Sequence, residues 1–168
     1  AFADHRYHGT DIGWGHHLDI VMKTSNDGGN TWSPNEQIVA RGGSNIATDF
    51  NCGHGDATTV VDRETGEILM ICASGGICYW DSTRDLPIMM GRYYSTDEGL
   101  TWHCEDVTKH IYQLMPDVTG AFFTSGRIAQ SSRIKVGTHY RIYSGLATKQ
   151  GNRVLYSDNL GKTWNVLG

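Results

Sequence analysis

The sequence predicts an all-β chain built from repeated four-stranded antiparallel units, and three observations carry that expectation. Glycine is abundant at 21 residues while proline is scarce at 3, so short apolar runs are separated by many tight turns. An eight-residue phrase recurs three times, as SNDGGNTW (25–32), STDEGLTW (95–102) and SDNLGKTW (157–164). No segment combines helix caps with sustained helical periodicity.

Each phrase follows a strand-like run, LDIVMKT, PIMMGRYY or NRVLY, and precedes another, EQIVA, HCEDV or NVLG. Each is therefore expected to be the turn of a β-hairpin. The aspartate at its third position can accept backbone N–H bonds within the turn. The glycine at the fifth supplies a positive φ that other residues resist. The tryptophan then covers the apolar side of the hairpin. In the third copy Asn159 replaces the aspartate. It keeps the turn-forming carbonyl and drops the charge, so that turn is expected to survive.

Between the phrases lie two more hairpin signals, with apolar runs flanking DRETGE in the first and VGTH in the second. The order is hairpin, loop, then hairpin with the phrase. The repeat is somewhat longer than the about 40–50 residues of common propeller blades. The chain then holds about two complete units and the latter part of an earlier one. TKHIYQLM is expected to form one short helical turn.

Composition excludes several function classes. The chain has 168 residues and 39% hydrophobic content, enough for a folded core. A net charge of −4 offers no global basic field for nucleic acid, so an anionic ligand would need a local arginine cluster. No stretch approaches the ~18 apolar residues of a membrane span. The opening AFADHRY reads as strand interior and shows no leader. Cys52, Cys72, Cys78 and Cys104 form no CxxC pair and indicate no disulfide; Cys72, within EILMICAS, reads as a buried thiol. His16, His17 and Asp19, and His54 with Asp56, lack a recognised ligand spacing, and SNDGGNTWSPNE lacks the ligand order of a calcium loop. No metal and no catalytic cofactor are expected.

The phrase S-x-D-x-G-x-T-W is the Asp box, or BNR repeat, of sialidases and several other β-propeller proteins. AFADHRYHGTD further resembles the stretch that precedes the first Asp box in exo-α-sialidases of glycoside hydrolase family 33. GHGDATTVVDRETG and TSGRIAQSSRIKVGTHYRIYSGL resemble that family's next two segments. The resemblance covers essentially the whole chain. It implies a partial six-bladed β-propeller of about two and a half blades, the N-terminal part of a catalytic domain trimmed at both ends.

By resemblance, Asp11 is the general acid and base, and Arg6 and Asp56 contact the sugar. Trp80 offers an apolar wall to its acetyl methyl, and Arg127 and Gln130 approach the ligand from the glycine-rich loop. An aspartate in that acid role must hold its proton near neutral pH, through partial burial under substrate. The family's tyrosine nucleophile, its glutamate and the carboxylate-binding arginines are expected outside this chain, so the segment alone is expected to be inactive. Its partners would be sialylated glycans and the remainder of the propeller, and its compartment secreted or periplasmic, as is common in the family.

Bland alternatives stand beside each residue. Asp11 also reads as a solvated loop aspartate, Arg6 as a strand-end partner of Asp4, Asp56 as a turn former and Trp80 as core or loop packing. Two other functions remain open: a non-catalytic Asp-box propeller used for binding or scaffolding, and a trans-sialidase.

Overall fold

Short apolar strands build three sheets, antiparallel except for one two-residue strand, described for residues 1–168 by a computed structural model. The first contains β1 (Phe2–Arg6), β2 (Leu18–Met22) and β3 (Gln37–Ala40), in that order. The second runs through β4 (His54–Val61), β5 (Ile68–Ser74), β6 (Met89–Ser95) and β7 (His103–Asp106) as an up-and-down meander. The helix α1 (Thr108–Leu114) follows, where one helical turn is expected. No helix is long and apolar enough to cross a membrane.

The third sheet has a split inner edge. β8 (Ala121–Phe123) and β10 (Ala129–Val136) both pair with β11 (His139–Thr148), which continues to β12 (Arg153–Ser157) and β13 (Asn165–Val166). Between β8 and β10 the chain crosses to the second sheet. There β9 (Gly126–Arg127) pairs in parallel with β4, Thr58 opposite Gly126 and Thr59 opposite Arg127. The sequence pattern places these residues at a simple turn into the strand. The crossing is fixed instead by Ile128, wholly buried, whose N–H donates to the Thr59 carbonyl at 2.8 Å.

Two cores hold the sheets face to face. The larger, between the second and third sheets, includes Leu69, Ile71, Met90, Phe123, Ile142, Leu155 and Trp164. The smaller, between the first and second, includes Ile20, Met22, Met70, Cys72 and Tyr93. All four cysteines are free, with Cys72 wholly buried.

His54 sits at the first–second interface, fully buried, with Nδ1 2.9 Å from the Ser74 hydroxyl. Burial holds its pKa down to about 4, against an ordinary 6.5, despite a bond to the Arg41 backbone carbonyl and the charge of Asp19. The unfolded chain therefore binds a proton there that the folded chain refuses. His54 contributes stability that is complete above about pH 6.5 and is lost as the pH falls towards 4, by about 3 kcal/mol. Urea unfolding at stepped pH checks this: wild-type stability should fall across that window, and His54→Gln should fall less.

The three Asp boxes join the two outermost strands of each sheet. Asp27 accepts the Thr31 N–H at 2.8 Å, the Thr31 hydroxyl at 2.7 Å and the Ser25 hydroxyl at 2.8 Å. The Thr31 N–H and hydroxyl, with the Ser25 hydroxyl, draw its pKa down to about 2. Asp97 is drawn to about 2 by the Thr101 hydroxyl and N–H in the same arrangement. The stability these carboxylates add is present above the ordinary aspartate range and is lost as the pH falls through about 2. Asn159 reproduces the pattern: its Oδ1 accepts the Thr163 N–H at 2.9 Å and its Nδ2 donates to the Thr163 hydroxyl at 2.9 Å. Asp97→Asn, which keeps the acceptor and drops the charge, should therefore lower the thermal midpoint less than Asp97→Ala, which removes both, in a melting experiment.

The fifth-position glycines, Gly29, Gly99 and Gly161, all have positive φ as expected. So do Glu98 (φ 59°) and Leu160 (φ 50°) at the fourth position, which the sequence pattern does not require.

The three tryptophans are not equivalent. Trp164 is buried against Phe123, with ring centroids 5.1 Å apart. Trp102 meets Phe2 of the first sheet edge-on at 5.8 Å and donates its Nε1–H to the Gly99 carbonyl. Trp32 is 46% exposed.

Candidate functional site

The strand alternation of β1 points Phe2, Asp4 and Arg6 to one side, and Phe2 marks that side as the one facing the second sheet. Arg6 ends the strand. Its Nη2 donates to Asp11 Oδ1 at 2.9 Å and lies 3.7 Å from Asp4 Oδ2. Asp11 stands on the loop between β1 and β2, where its Oδ1 also accepts the Ile12 N–H at 2.9 Å. The loop is pressed onto the segment after β5: a Cβ on Gly13, which has φ 89°, would lie 2.6 Å from the Cys78 Cα. No side chain fits at that position, so the glycine fixes how deeply the Asp11 loop sits.

Asp56 reaches the same place from β4. The β4–β5 register slips between Gly55 and Thr58, and within this bulge Asp56 adopts φ 57°. A bulge re-aims a side chain out of the regular alternation, and a left-handed non-glycine residue must be held there by its surroundings. Burial, then the charges of Asp11 and Asp4, raise the Asp56 pKa, with Arg6 opposing. Burial also raises that of Asp4. Asp4 and Asp56 therefore retain protons more readily than isolated aspartates do.

Asp11 and Asp56 line a cavity of about 190 Å³ whose other walls are apolar or aromatic, among them Trp14, Ile77, Tyr79, Trp80 and Phe122. Trp80 is 78% exposed and Trp14 59% exposed. The Trp80 loop is pinned from below by Lys149, whose Nζ donates to the Trp80 carbonyl at 2.9 Å and the Ser82 carbonyl at 2.6 Å. Tyr79 meets both Trp80 and Phe122 edge-on at 5.3 Å. The arrangement offers carboxyl groups, a guanidinium and apolar ring faces to one small polar ligand with an apolar appendage.

Four of the six residues singled out from the sequence, Arg6, Asp11, Asp56 and Trp80, are thus brought together from three separate segments. Two are not. Arg127 is exposed on β9 and is not among the cavity walls. Gln130 is occupied in linking two hairpins, its amide donating to Asp62 Oδ2 at 2.7 Å and its carbonyl accepting the Arg63 N–H at 3.3 Å. Asp4 and Trp14 belong to the site and were not singled out. The signal for Asp4 was its i, i+2 spacing from Arg6 on a strand; for Trp14 it was an indole on the same short loop as Asp11.

Residues 93–103 match the BNR/Asp-box repeat family. No curated protein matches the sequence. Among solved structures, the intramolecular trans-sialidase from Ruminococcus gnavus superposes with a TM-score of 0.76 at 14% identity, over 99% of this chain and 56% of that one. The chain has the fold of a sialidase propeller. The NanB sialidase from Streptococcus pneumoniae superposes on this chain with a TM-score of 0.73 at 12% identity, over 98% of it and 41% of NanB. The Trypanosoma rangeli sialidase gives 0.68 at 16% identity, over 98% of this chain and 27% of its own. The chain therefore spans about half the length of these proteins, or less. The all-β partial propeller expected from the sequence is the fold observed.

Proposed function

We propose that this chain is part of the catalytic domain of an exo-α-sialidase, which removes terminal sialic acid from glycoconjugates with retention of configuration. The observation that carries this reading is that Asp11 and Asp56 line one apolar-walled cavity while Arg6 donates to Asp11 at 2.9 Å. A scaffold has no need to set two carboxylates in one apolar hollow or to hold one of them in a left-handed bulge.

In this scheme Arg6 presents its fork to a sugar hydroxyl. Asp56, whose burial favours the protonated form, can donate to a hydroxyl as well as accept from one or from an amide N–H. The acetyl methyl rests on the Trp80 side of the cavity. Asp11 gives its proton to the leaving glycosidic oxygen as the bond to the anomeric carbon breaks and a tyrosine oxygen, passing its own proton to a neighbouring glutamate, attaches there. Water then adds to that carbon, passing a proton back to Asp11 and releasing the tyrosine. A neutral tyrosine suits this position because the substrate carries a carboxylate on its anomeric carbon, and an anionic nucleophile would be repelled. The tyrosine, its glutamate and the carboxylate-binding arginines come from outside this chain, so residues 1–168 alone should release no sialic acid.

Proton NMR of the reaction mixture tests the reading on the protein that carries this chain. The α-anomer of free sialic acid should appear first and then mutarotate. A β-anomer formed first, or no release from any α-sialoside, would contradict it.

A further inference from the structure

His17 and Asp19 lack a metal-ligand spacing, and the fold gives them a different task. The β1–β2 ladder ends at the pair Arg6 and Leu18. Residues 7–17 then form the loop that carries Asp11, so Tyr7 and His17 are its two ends. Asp19, the second residue of β2, is wholly buried and is bonded to both.

The Tyr7 hydroxyl donates to Asp19 Oδ2 at 3.1 Å, and His17 Nε2 lies 2.9 Å from Oδ1. A carboxylate only accepts, so Nε2 carries the proton of that bond. Oδ1 also accepts the Gly42 N–H at 2.8 Å, from the segment after β3. The Tyr7 and His17 rings stack, with centroids 3.9 Å apart and planes 16° from parallel. Gly43 closes on the same imidazole: a Cβ there would lie 3.3 Å from its Cε1. A buried carboxylate stripped of its bonds is costly, so the three donors are held to it. One carboxylate thus clasps both ends of the loop, immediately beyond the last ladder pair.

The clasp bears on the site through the loop that it closes. Farther along, the loop is fixed by Gly13 against Cys78, and at its base by Asp19. Between those two points lies Asp11, bonded to Arg6 at 2.9 Å. Neither Tyr7 nor His17 lines the cavity, so both act on a ligand only through the loop. We propose that Tyr7, His17 and Asp19 are positioning residues, whose clasp fixes the base of the loop that presents Asp11 to the glycosidic oxygen. The inference rests on the sialidase reading for its purpose, but its geometry does not. Support of this kind, one step behind the groups that touch a ligand, keeps a site within the narrow tolerances that chemistry demands.

The test uses Tyr7→Phe and His17→Phe, which keep an aromatic ring at each position and remove one donor each from Asp19. Tyr7 is half exposed, so Tyr7→Phe opens no cavity in the core. By NMR on the protein that carries this chain, without ligand, the amide resonances of Asp11, Ile12 and Trp14 should move and broaden in both variants. Those of Asp4 and Ile20, paired within the ladder, should stay in place. A generic loss of stability would disturb ladder and loop alike. In a kinetic arm, kcat on a sugar-linked sialoside should fall about 2–10-fold, the weight of one net hydrogen bond. It should fall less on an aryl sialoside, whose phenolate departs without the Asp11 proton. Loop amides left in place, or losses no greater on the sugar-linked substrate, would overturn the proposal. Absence of turnover in the wild type would count against the sialidase reading and leave the NMR arm to decide the clasp.

Discussion

Asp11→Asn is expected to lower kcat/KM on a natural, sugar-linked sialoside by about 10²–10⁴-fold, the usual contribution of a general acid, and to cost much less on an aryl sialoside. The two substrates differ in how much help their leaving groups need. A sugar alkoxide must receive a proton as it departs, whereas an activated phenolate leaves without one. Asparagine is isosteric and its carbonyl can still accept from Arg6 and from the Ile12 N–H, the bonds that Asp11 makes at 2.9 Å in each case. The variant therefore removes the proton and keeps the geometry. Equal losses on both substrates would assign Asp11 to binding or structure instead.

Trp164→Ala is expected to destabilise the fold by about 3–5 kcal/mol, the range for removing a buried large aromatic. Trp32→Ala should cost about 1 kcal/mol or less. The two residues occupy the same position of the same repeat, yet Trp164 is 1% exposed within the core between the second and third sheets and Trp32 is 46% exposed. The Trp164 backbone is tied as well, its N–H donating to His110 Nε2 at 2.9 Å beside α1. Urea unfolding of the two variants separates the cases. Similar losses at both positions would mean that the tryptophan acts through its own turn and not through the neighbouring sheet.

The turns were legible in the sequence because their physics is local. In each Asp box the serine, the Asp or Asn and the threonine satisfy one another within eight residues, so the pattern of letters is the pattern of bonds. The DRETGE and VGTH hairpins were legible for the same reason, as two alternating runs around a short polar link. What neighbouring sheets impose was hidden. Nothing in the letters distinguishes Trp32 from Trp164, because their burial is decided by what lies opposite. The crossing of β9 to β4 involves two residues in parallel pairing, too short to leave a periodic trace. Leu160 and Glu98 take positive φ where glycine would be the natural signal.

The site divides along the same line. The likeness of AFADHRYHGTD and GHGD to a known family picked out Arg6, Asp11 and Asp56, which the structure gathers. It gave no hint of the bulge that aims Asp56, which arises from a slip of register against β5. Gln130 shows the reverse. Its place beside a glycine-rich loop pointed towards a ligand, but Asp62, 68 residues earlier, takes its amide.

The central claim is that Arg6, Asp11 and Asp56 form one sugar-binding hollow flanked by Trp14 and Trp80, while the three Asp-box tryptophans serve the fold. The five tryptophans of the chain give five indole N–H resonances, which makes the claim directly measurable. Titration of the protein with a methyl α-sialoside should shift the indole signals of Trp14 and Trp80 together with the Asp56 amide, and leave those of Trp32, Trp102 and Trp164 in place. Shifts confined to the Asp-box indoles, or none at Trp14, Trp80 and Asp56 at saturating sugar, would contradict it.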